Sequence, residues 1–214
     1  MLRICDNVHV DTEMKSSGRE KKIWLTLLLA ALTLSGCAGT PTNTDNVCAV
    51  FDQRGGWFNN WYKYAKNTEK EYGVPVPVLM ATIYKESGFN AKARPPRTKL
   101  LGFIPWKRPS SAYGYPQALD GTWDWYKDAT GRRGADRDDF KDAVRFVGWY
   151  HYQSYKKNGV ARNDTYNLYL NYYAGHGGYA RGTWKNNKWM KGAAQRTASM
   201  ANRYQQQMQA CGRG

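Results

Sequence analysis

Pro75-Val76-Pro77-Val78-Leu79-Met80-Ala81-Thr82-Ile83-Tyr84-Lys85-Glu86-Ser87-Gly88-Phe89-Asn90 is the stretch on which the reading of this chain turns. Two prolines open it and a glycine follows its last apolar turn, the pattern of a helix with Pro at its start and Gly just past its end. Within that helix Leu79, Ile83 and Glu86 share one face. A carboxylate there, just before the stop, meets two unfavourable effects. Burial disfavours its charge, and so does the negative end of the helix dipole. Both raise its pKa, and a carboxyl held protonated near neutral pH is what a general acid requires. The alternative, from position alone, is a glutamate paired with one of the chain's many Lys or Arg side chains.

The flanking sequence is helical too. Upstream, Trp57, Trp61, Ala65, Thr68 and Tyr72 recur at helical spacing, with Gly73 as a stop. Downstream, residues 89–117 show no clean period. Helices are then expected from Asp120 to Ala129 before Gly131, and from a cap at Asp138 or Asp139 to Gly159, with Phe140, Val144, Val147 and His151 on one face. Two more run from Asp164 to Ala174 and from Trp189 to Gln209. No alternating run of Val, Ile or Thr reaches strand length and no segment repeats, so the expected class is mainly α, in one domain.

The 214 residues carry 32 Lys plus Arg against 17 Asp plus Glu, a net charge of +15. With 42% hydrophobic residues the chain can bury a core, which argues against disorder. Nine Trp and sixteen Tyr outnumber six Phe, and rings with a hydrogen-bonding tip suit a polar partner in a groove. The cations call for an anionic partner: nucleic acid, a membrane surface or an acidic polymer.

The N-terminus chooses the compartment. Lys21 and Lys22 precede the apolar run Ile23–Leu34, and Ser35-Gly36-Cys37 follows. This has the flanks of a secretory signal and is too short to span a bilayer. Leu34-Ser35-Gly36-Cys37 resembles a bacterial lipobox, which implies cleavage before Cys37 and acylation of its thiol. Asp6, Asp11 and Glu13 do not suit a signal, so translation is expected to start at Met14. Peptide mapping of the precursor that recovers Leu2–Val8 would contradict that start. Residues 1–36 are accordingly assigned to the signal peptide, 37–50 to the lipidated cysteine and its tether, and 51–211 to the working domain. Residues 1–36 hold five cations and four carboxylates, so their removal leaves +14. The basic character therefore belongs to the domain, and export argues against nucleic acid as its partner. Cys48 and Cys211, near the two ends of that domain, are expected to pair in an oxidising compartment, the alternative being two free thiols. Ala38 and Gly39 follow Cys37 where a retention signal would have Asp. By analogy this favours a periplasm-facing lipoprotein of the outer membrane.

Processing leaves three glutamates: Glu69 and Glu71, which flank Lys70 at the lysine-rich end of a helix, and Glu86. Glu86-Ser87-Gly88-Phe89-Asn90 resembles the Glu-Ser-Gly-Phe-Asn signature of the soluble lytic transglycosylase family. Gly114-Tyr115-Pro116-Gln117, followed by Thr122, stands where that family has Gly-Leu-Met-Gln and a helix with Thr. Tyr172-Tyr173-Ala174-Gly175 stands where it has Tyr-Asn-Ala-Gly. Tyr115, Pro116 and Tyr173 depart from the pattern. Three motifs in order over about residues 57–210 imply a single lysozyme-like helical domain, of the goose-type or lytic transglycosylase kind.

The resemblance implies a substrate and a mechanism. The substrate is the β-1,4 bond between N-acetylmuramic acid and N-acetylglucosamine in peptidoglycan glycan strands. Glu86 is the catalytic acid, then the base that takes the proton of the muramoyl 6-hydroxyl, giving a 1,6-anhydro end. No cofactor and no metal is expected. By the same resemblance Ser87 and Gln117 shape the catalytic end of the cleft, Tyr172 lies near Glu86, and Tyr113, Tyr115 and Tyr173 are candidates for stacking on sugar rings. His176, in Gly175-His176-Gly177-Gly178, reads as a loop histidine, the alternative being a residue that reaches the cleft. Residues 91–111 set six cations around Leu100, Leu101, Phe103, Ile104 and Trp106. The segment is expected to form a wall or lid of the cleft, the alternatives being a loop packed on the domain with solvated charges, or one that dips into the membrane. The partners implied are glycan strands and, through Cys37, a membrane, with the protein a monomer. The competing readings are a goose-type lysozyme that hydrolyses the bond with water, and a non-catalytic peptidoglycan-binding envelope lipoprotein.

Overall fold

The computed structural model describes residues 39–57, 59–101 and 104–214. The expected signal segment, the Met14 start and Cys37 lie outside the described residues. The helices belong to one compact unit, Thr40–Gly214. Seven of them succeed one another among the described residues: α1 (Val47–Gln53), α2 (Trp61–Tyr72), α3 (Val76–Ser87), α4 (Asp120–Thr130), α5 (Phe140–Asn158), α6 (Thr165–Ala180) and α7 (Lys188–Ala210). Between α3 and α4 two residues of β1 (Lys99–Leu100) pair antiparallel with β2 (Ile104–Pro105). The class is mainly α, as the periodicity indicates. Asn60, Asp139, Asp164 and Asn187 cap their helices by accepting from first-turn backbone N–H groups. Left-handed glycines at 73, 88, 131 and 159 end α2 to α5.

Helix α5 is the hub, packed by α2, α3, α4 and α6. Its Phe140, Val144, Phe146 and Val147 are buried, and the Trp61 indole of α2 stacks on Phe140 at 3.7 Å between centroids. At Gly148 the α2 side chains leave no room. A Cβ there would meet Thr68 Cγ2 at 2.3 Å and Tyr72 Cδ2 at 3.1 Å. Gly148→Ala is therefore expected to lower stability by about 1–3 kcal/mol through overpacking. Denaturant unfolding checks it, and an unchanged midpoint would show that α2 yields without cost.

Three elements differ from the sequence expectation. Trp57 is not on α2: it is 94% exposed, because Asn60 caps the helix and Gly55 bridges to Asn60 in the preceding loop. Helix α6 continues past Ala174 to Ala180, broken at Gly175 (φ 71, ψ 156), a conformation that only glycine adopts easily. The stretch 37–50, read as tether, is in part structured. Helix α1 begins inside it, with Val47, Cys48, Val50 and Phe51 buried against the end of α7. Seven residues are too few to show a helical period, which is why the pattern passes over it. Gln207 holds this entry from both sides: its Oε1 accepts from the Val47 N–H and its Nε2 donates to the Asp45 carbonyl, both at 2.9 Å. Cys48 and Cys211 are disulfide-bonded and tie α1 to the residue after α7.

Candidate active site

The residues Glu86–Asn90 form a compact stop at the end of α3. The Gly88 N–H donates to the Tyr84 carbonyl at 2.8 Å. Gly88 and then Phe89 take left-handed backbone conformations (φ 58 and 63), which turn the Phe89 ring back into the core beside Trp61 and Tyr84. Asn90 Oδ1 accepts from the Lys92 N–H at 2.9 Å and closes the turn. Ser87 Oγ donates to the Ile83 carbonyl, so this hydroxyl is spent within the helix. Ser87 is thus spent in the helix, Phe89 in the core and Asn90 in the turn, and Glu86 is left to face a cavity.

That cavity has a volume of about 500 Å³. Glu86 of α3 meets Ser110, Ala112 and Gln117 from the segment before α4, Thr122 of α4, Phe146 and Tyr150 of α5, and Tyr172–Gly175 of α6. Among the described residues that line it, Glu86 is the one carboxylate. Four aspartates of the surrounding elements are engaged elsewhere. Asp120 pairs with Arg137 and Asp138 with Lys92, while Asp139 and Asp164 cap helices.

The Glu86 carboxyl keeps partial access to the cavity, but its Oε1 is covered and has no hydrogen-bond partner among the described residues. Burial pushes its pKa up to about 7, against smaller opposing pulls from the Tyr169 hydroxyl and the Lys85 ammonium. Glu86 therefore holds a proton close to neutrality. Tyr169, three residues before Tyr172 on α6, was not foreseen from the sequence, although that spacing puts both on one helix face. Its own hydroxyl is pushed far above the usual tyrosine range, first by burial and then by Glu86. Tyr169→Phe removes a contact that favours the carboxylate, so the Glu86 pKa rises. The alkaline limb of activity, where the acid loses its proton, is then expected to move to higher pH. A pH–rate profile reads this, and a limb that stays or moves down would contradict the contact.

The second motif supplies the facing wall. The Gly114 N–H donates to the Ala93 carbonyl and the Tyr115 N–H to the Arg137 carbonyl, both at 3.0 Å. Gly114 has φ 73, and a Cβ on it would lie 2.2 Å from the Arg137 carbonyl oxygen, so no other residue fits. Gln117, itself left-handed (φ 49), donates through Nε2 to the Ala93 and Gly114 carbonyls and so locks the turn that it shapes. The third motif reaches across: Tyr172 Oη donates to the Pro116 carbonyl at 2.5 Å. Its proton is thus directed to the turn, and Tyr172 lines the cavity with Glu86 without hydrogen-bonding it. At the Gly175 break, Asn158 Nδ2 donates to both Asn171 Oδ1 and the His176 carbonyl, which holds the two parts of α6 together.

The expected site residues divide. Glu86, Gln117, Tyr172 and Tyr173 line one cavity, with Tyr173 49% exposed at its edge. Tyr115 does not line it and is not a stacking surface. Its ring is wedged edge-on between Trp61 and Phe140, both at 5.5 Å, in a place that belongs to the core. Tyr113 is also occupied. Its hydroxyl donates to Asp138 at 2.7 Å and its ring faces the Arg94 guanidinium at 4.0 Å, so that face is not offered to a sugar. His176 sits in the second part of α6 rather than a loop, stacked on Tyr150 at 4.3 Å with Nε2 toward Ser154 Oγ. Burial lowers its pKa to about 4, and it is neutral. From the segment 91–111, Ser110 reaches the cavity. Phe146 and Tyr150 were not foreseen as lining residues. They lie one position before Val147 and His151, so the stripe that identified the buried face of α5 passes beside them.

Comparison with curated proteins found no match. Comparison with known protein families found one, described as a transglycosylase SLT domain, over residues 25–211, which is most of the chain. That match spans all three motifs and every wall of the cavity. The chain belongs to the transglycosylase SLT domain family, a membership that implies lytic transglycosylase activity on peptidoglycan.

Proposed function

We propose that the protein cleaves the β-1,4 bond between N-acetylmuramic acid and N-acetylglucosamine without consuming water, and leaves a 1,6-anhydromuramoyl end. The observation that carries this reading is the single carboxylate of the cavity, raised in pKa by burial. Glycosidases that use a nucleophile or activate a water need a second carboxyl group, about 5–5.5 Å away in the first case and about 6.5–9.5 Å in the second. The lining residues offer no second one.

One group in two roles suffices. Protonated Glu86 gives its proton to the glycosidic oxygen as the bond to C1 breaks, and the N-acetyl carbonyl of the muramoyl residue stabilises C1. The Glu86 carboxylate then takes the proton of the 6-hydroxyl as O6 bonds to C1. Glu86 ends as it began, and no water enters. A pKa near 7 suits both directions, since a good acid and a good base are then close in energy. Phe146, Tyr150 and Tyr172 supply the low-polarity surroundings that keep the proton on Glu86 before reaction.

Borohydride reduction of the released fragments tests this reading. A hydrolase creates reducible muramic acid ends, and the proposed reaction creates none. Accumulation of such ends in step with cleavage would favour the goose-type hydrolase. We place the enzyme in the cell envelope, held to the outer membrane by acylated Cys37. Palmitate labelling that is insensitive to Cys37→Ala would contradict the anchor.

A further inference from the structure

A second cavity, about 550 Å³, opens between α3 and α7, outside the cleft that Glu86 faces. Its apolar surface comes from Ala81, Tyr84 and Met200, and its cations are Lys85, Arg196 and Arg203. Helix α7 carries no acidic residue. On α3 the only carboxylate is Glu86, which is turned to the catalytic cavity. The nearest carboxylate from the N-terminal entry is Asp45, 3.9 Å from Arg203 in a pair exposed on both sides. Such a pair contributes little. Lys85 and Arg196 have no ion-pair partner among the described residues. A concave site with three cations, an apolar floor and almost no compensating acid is built for an anionic ligand with small apolar parts.

The position of the groove narrows the choice of ligand. Ala81, Tyr84 and Lys85 of α3 face the groove, and Glu86, next in sequence to Lys85, faces the catalytic cavity, so α3 stands between the two. The Arg196 charge acts on Tyr169 against the upward pull of Glu86, which puts this cation within electrostatic reach of the catalytic side. We propose that this α3–α7 groove binds the peptide stem borne by the muramoyl sugar whose bond is cut, with Lys85, Arg196 and Arg203 meeting its carboxylates and Tyr84 and Met200 its alanine methyls. The lactyl group and four extended residues together span on the order of 15 Å, the length of a path around one side of a helix about 10 Å wide. The proposal rests on peptidoglycan being the substrate. An anionic membrane surface is the other partner that such cations attract, but a flat surface would not need a concave groove beside the catalytic helix.

Peptide binding and membrane contact give different results in one titration. The full chain with Glu86→Gln, which stops turnover, is titrated with the soluble tripeptide L-alanyl-D-glutamyl-diaminopimelate, with and without Arg196→Glu and Arg203→Glu. Saturable binding is expected, weakened about tenfold or more by the double charge reversal. Arg196→Gln with Arg203→Gln should weaken it less, in the same direction, with the melting temperature reporting that the fold is intact. On the Glu86 protein, the ratio of rates on peptide-bearing to amidase-stripped glycan strands should fall about tenfold with the double reversal. No peptide binding by the parent, or binding equal in both proteins, overturns the proposal. So does loss of binding to phosphatidylglycerol vesicles with peptide binding retained, which would make the groove a membrane contact. If the protein cleaves neither kind of strand, the enzymatic reading fails by itself, and the tripeptide titration still decides the groove.

Discussion

Glu86→Gln is expected to reduce glycan-strand cleavage by about 10²–10⁴-fold, the range general acid–base catalysis supplies, and to make the folded protein more stable at pH 8. The first effect follows from the cavity, where no second carboxyl group among the described residues can take over the proton. The second follows from the proton balance of folding. Glu86 has its pKa raised from 4.5 to about 7 in the folded protein. Between those values the native state binds a proton that the unfolded state does not, so stability falls as pH rises through this window and stays low above it. The penalty above pH 7 is on the order of 3 kcal/mol, since each pKa unit is worth about 1.4 kcal/mol. Glutamine has the shape without the charge. It relieves that penalty at pH 8, less the cost of burying an amide, and gains nothing below pH 4.5. Unfolding midpoints at pH 4 and pH 8 read the difference. A variant equally destabilised at both would show that Glu86 is an ordinary structural contact.

Removing the disulfide is expected to have the largest effect on stability. Cys48 and Cys211 are separated by 163 residues, so their bond constrains almost the entire domain in the unfolded state. Cys48→Ser with Cys211→Ser is expected to cost about 2–5 kcal/mol. For a domain of this size that lowers the melting temperature by on the order of 10 °C. The loss should be local in the native state. Helix α1 keeps its buried face and the Gln207 contacts, but the end of α7 and the Arg213 contacts to Cys48 and Asp52 lose their covalent anchor. Cleavage activity well below the new midpoint should persist, because no residue of α1 lines the catalytic cavity. A melting temperature unmoved by the double substitution would mean that the packing of α1 on α7 already does the work of the bond.

Much of the fold was legible because its helices announce themselves at both ends. Asp139 and Asp164 begin two of them and four glycines end four. Asn60 and Asn187, which cap α2 and α7, escape the pattern because the aromatic spacing draws the first start to Trp57 and the last to Trp189. Glu86 was legible for a different reason: a carboxylate on an apolar face is an anomaly, and burial turns that anomaly into a raised pKa. What the sequence hid depends on three-dimensional neighbours. Residue type says that Tyr115 and Tyr173 are aromatic, but only packing sends one into the Trp61–Phe140 wedge and the other to the cavity edge. Tyr169 gains its importance from where α6 meets α3, which periodicity does not encode. Gly175 was readable as a helix stop. The helix resumes after it, and Asn158 from α5 satisfies the His176 carbonyl at the break, a partner that the sequence of α6 does not reveal.

The mechanism stands or falls on whether water enters the product. Digestion of purified peptidoglycan in heavy-oxygen water, followed by mass spectrometry of the released fragments, measures this directly. The single-carboxylate mechanism predicts 1,6-anhydro ends, one water lighter than hydrolysed ends and free of the label. Fragments with reducing ends that carry the heavy oxygen would contradict it.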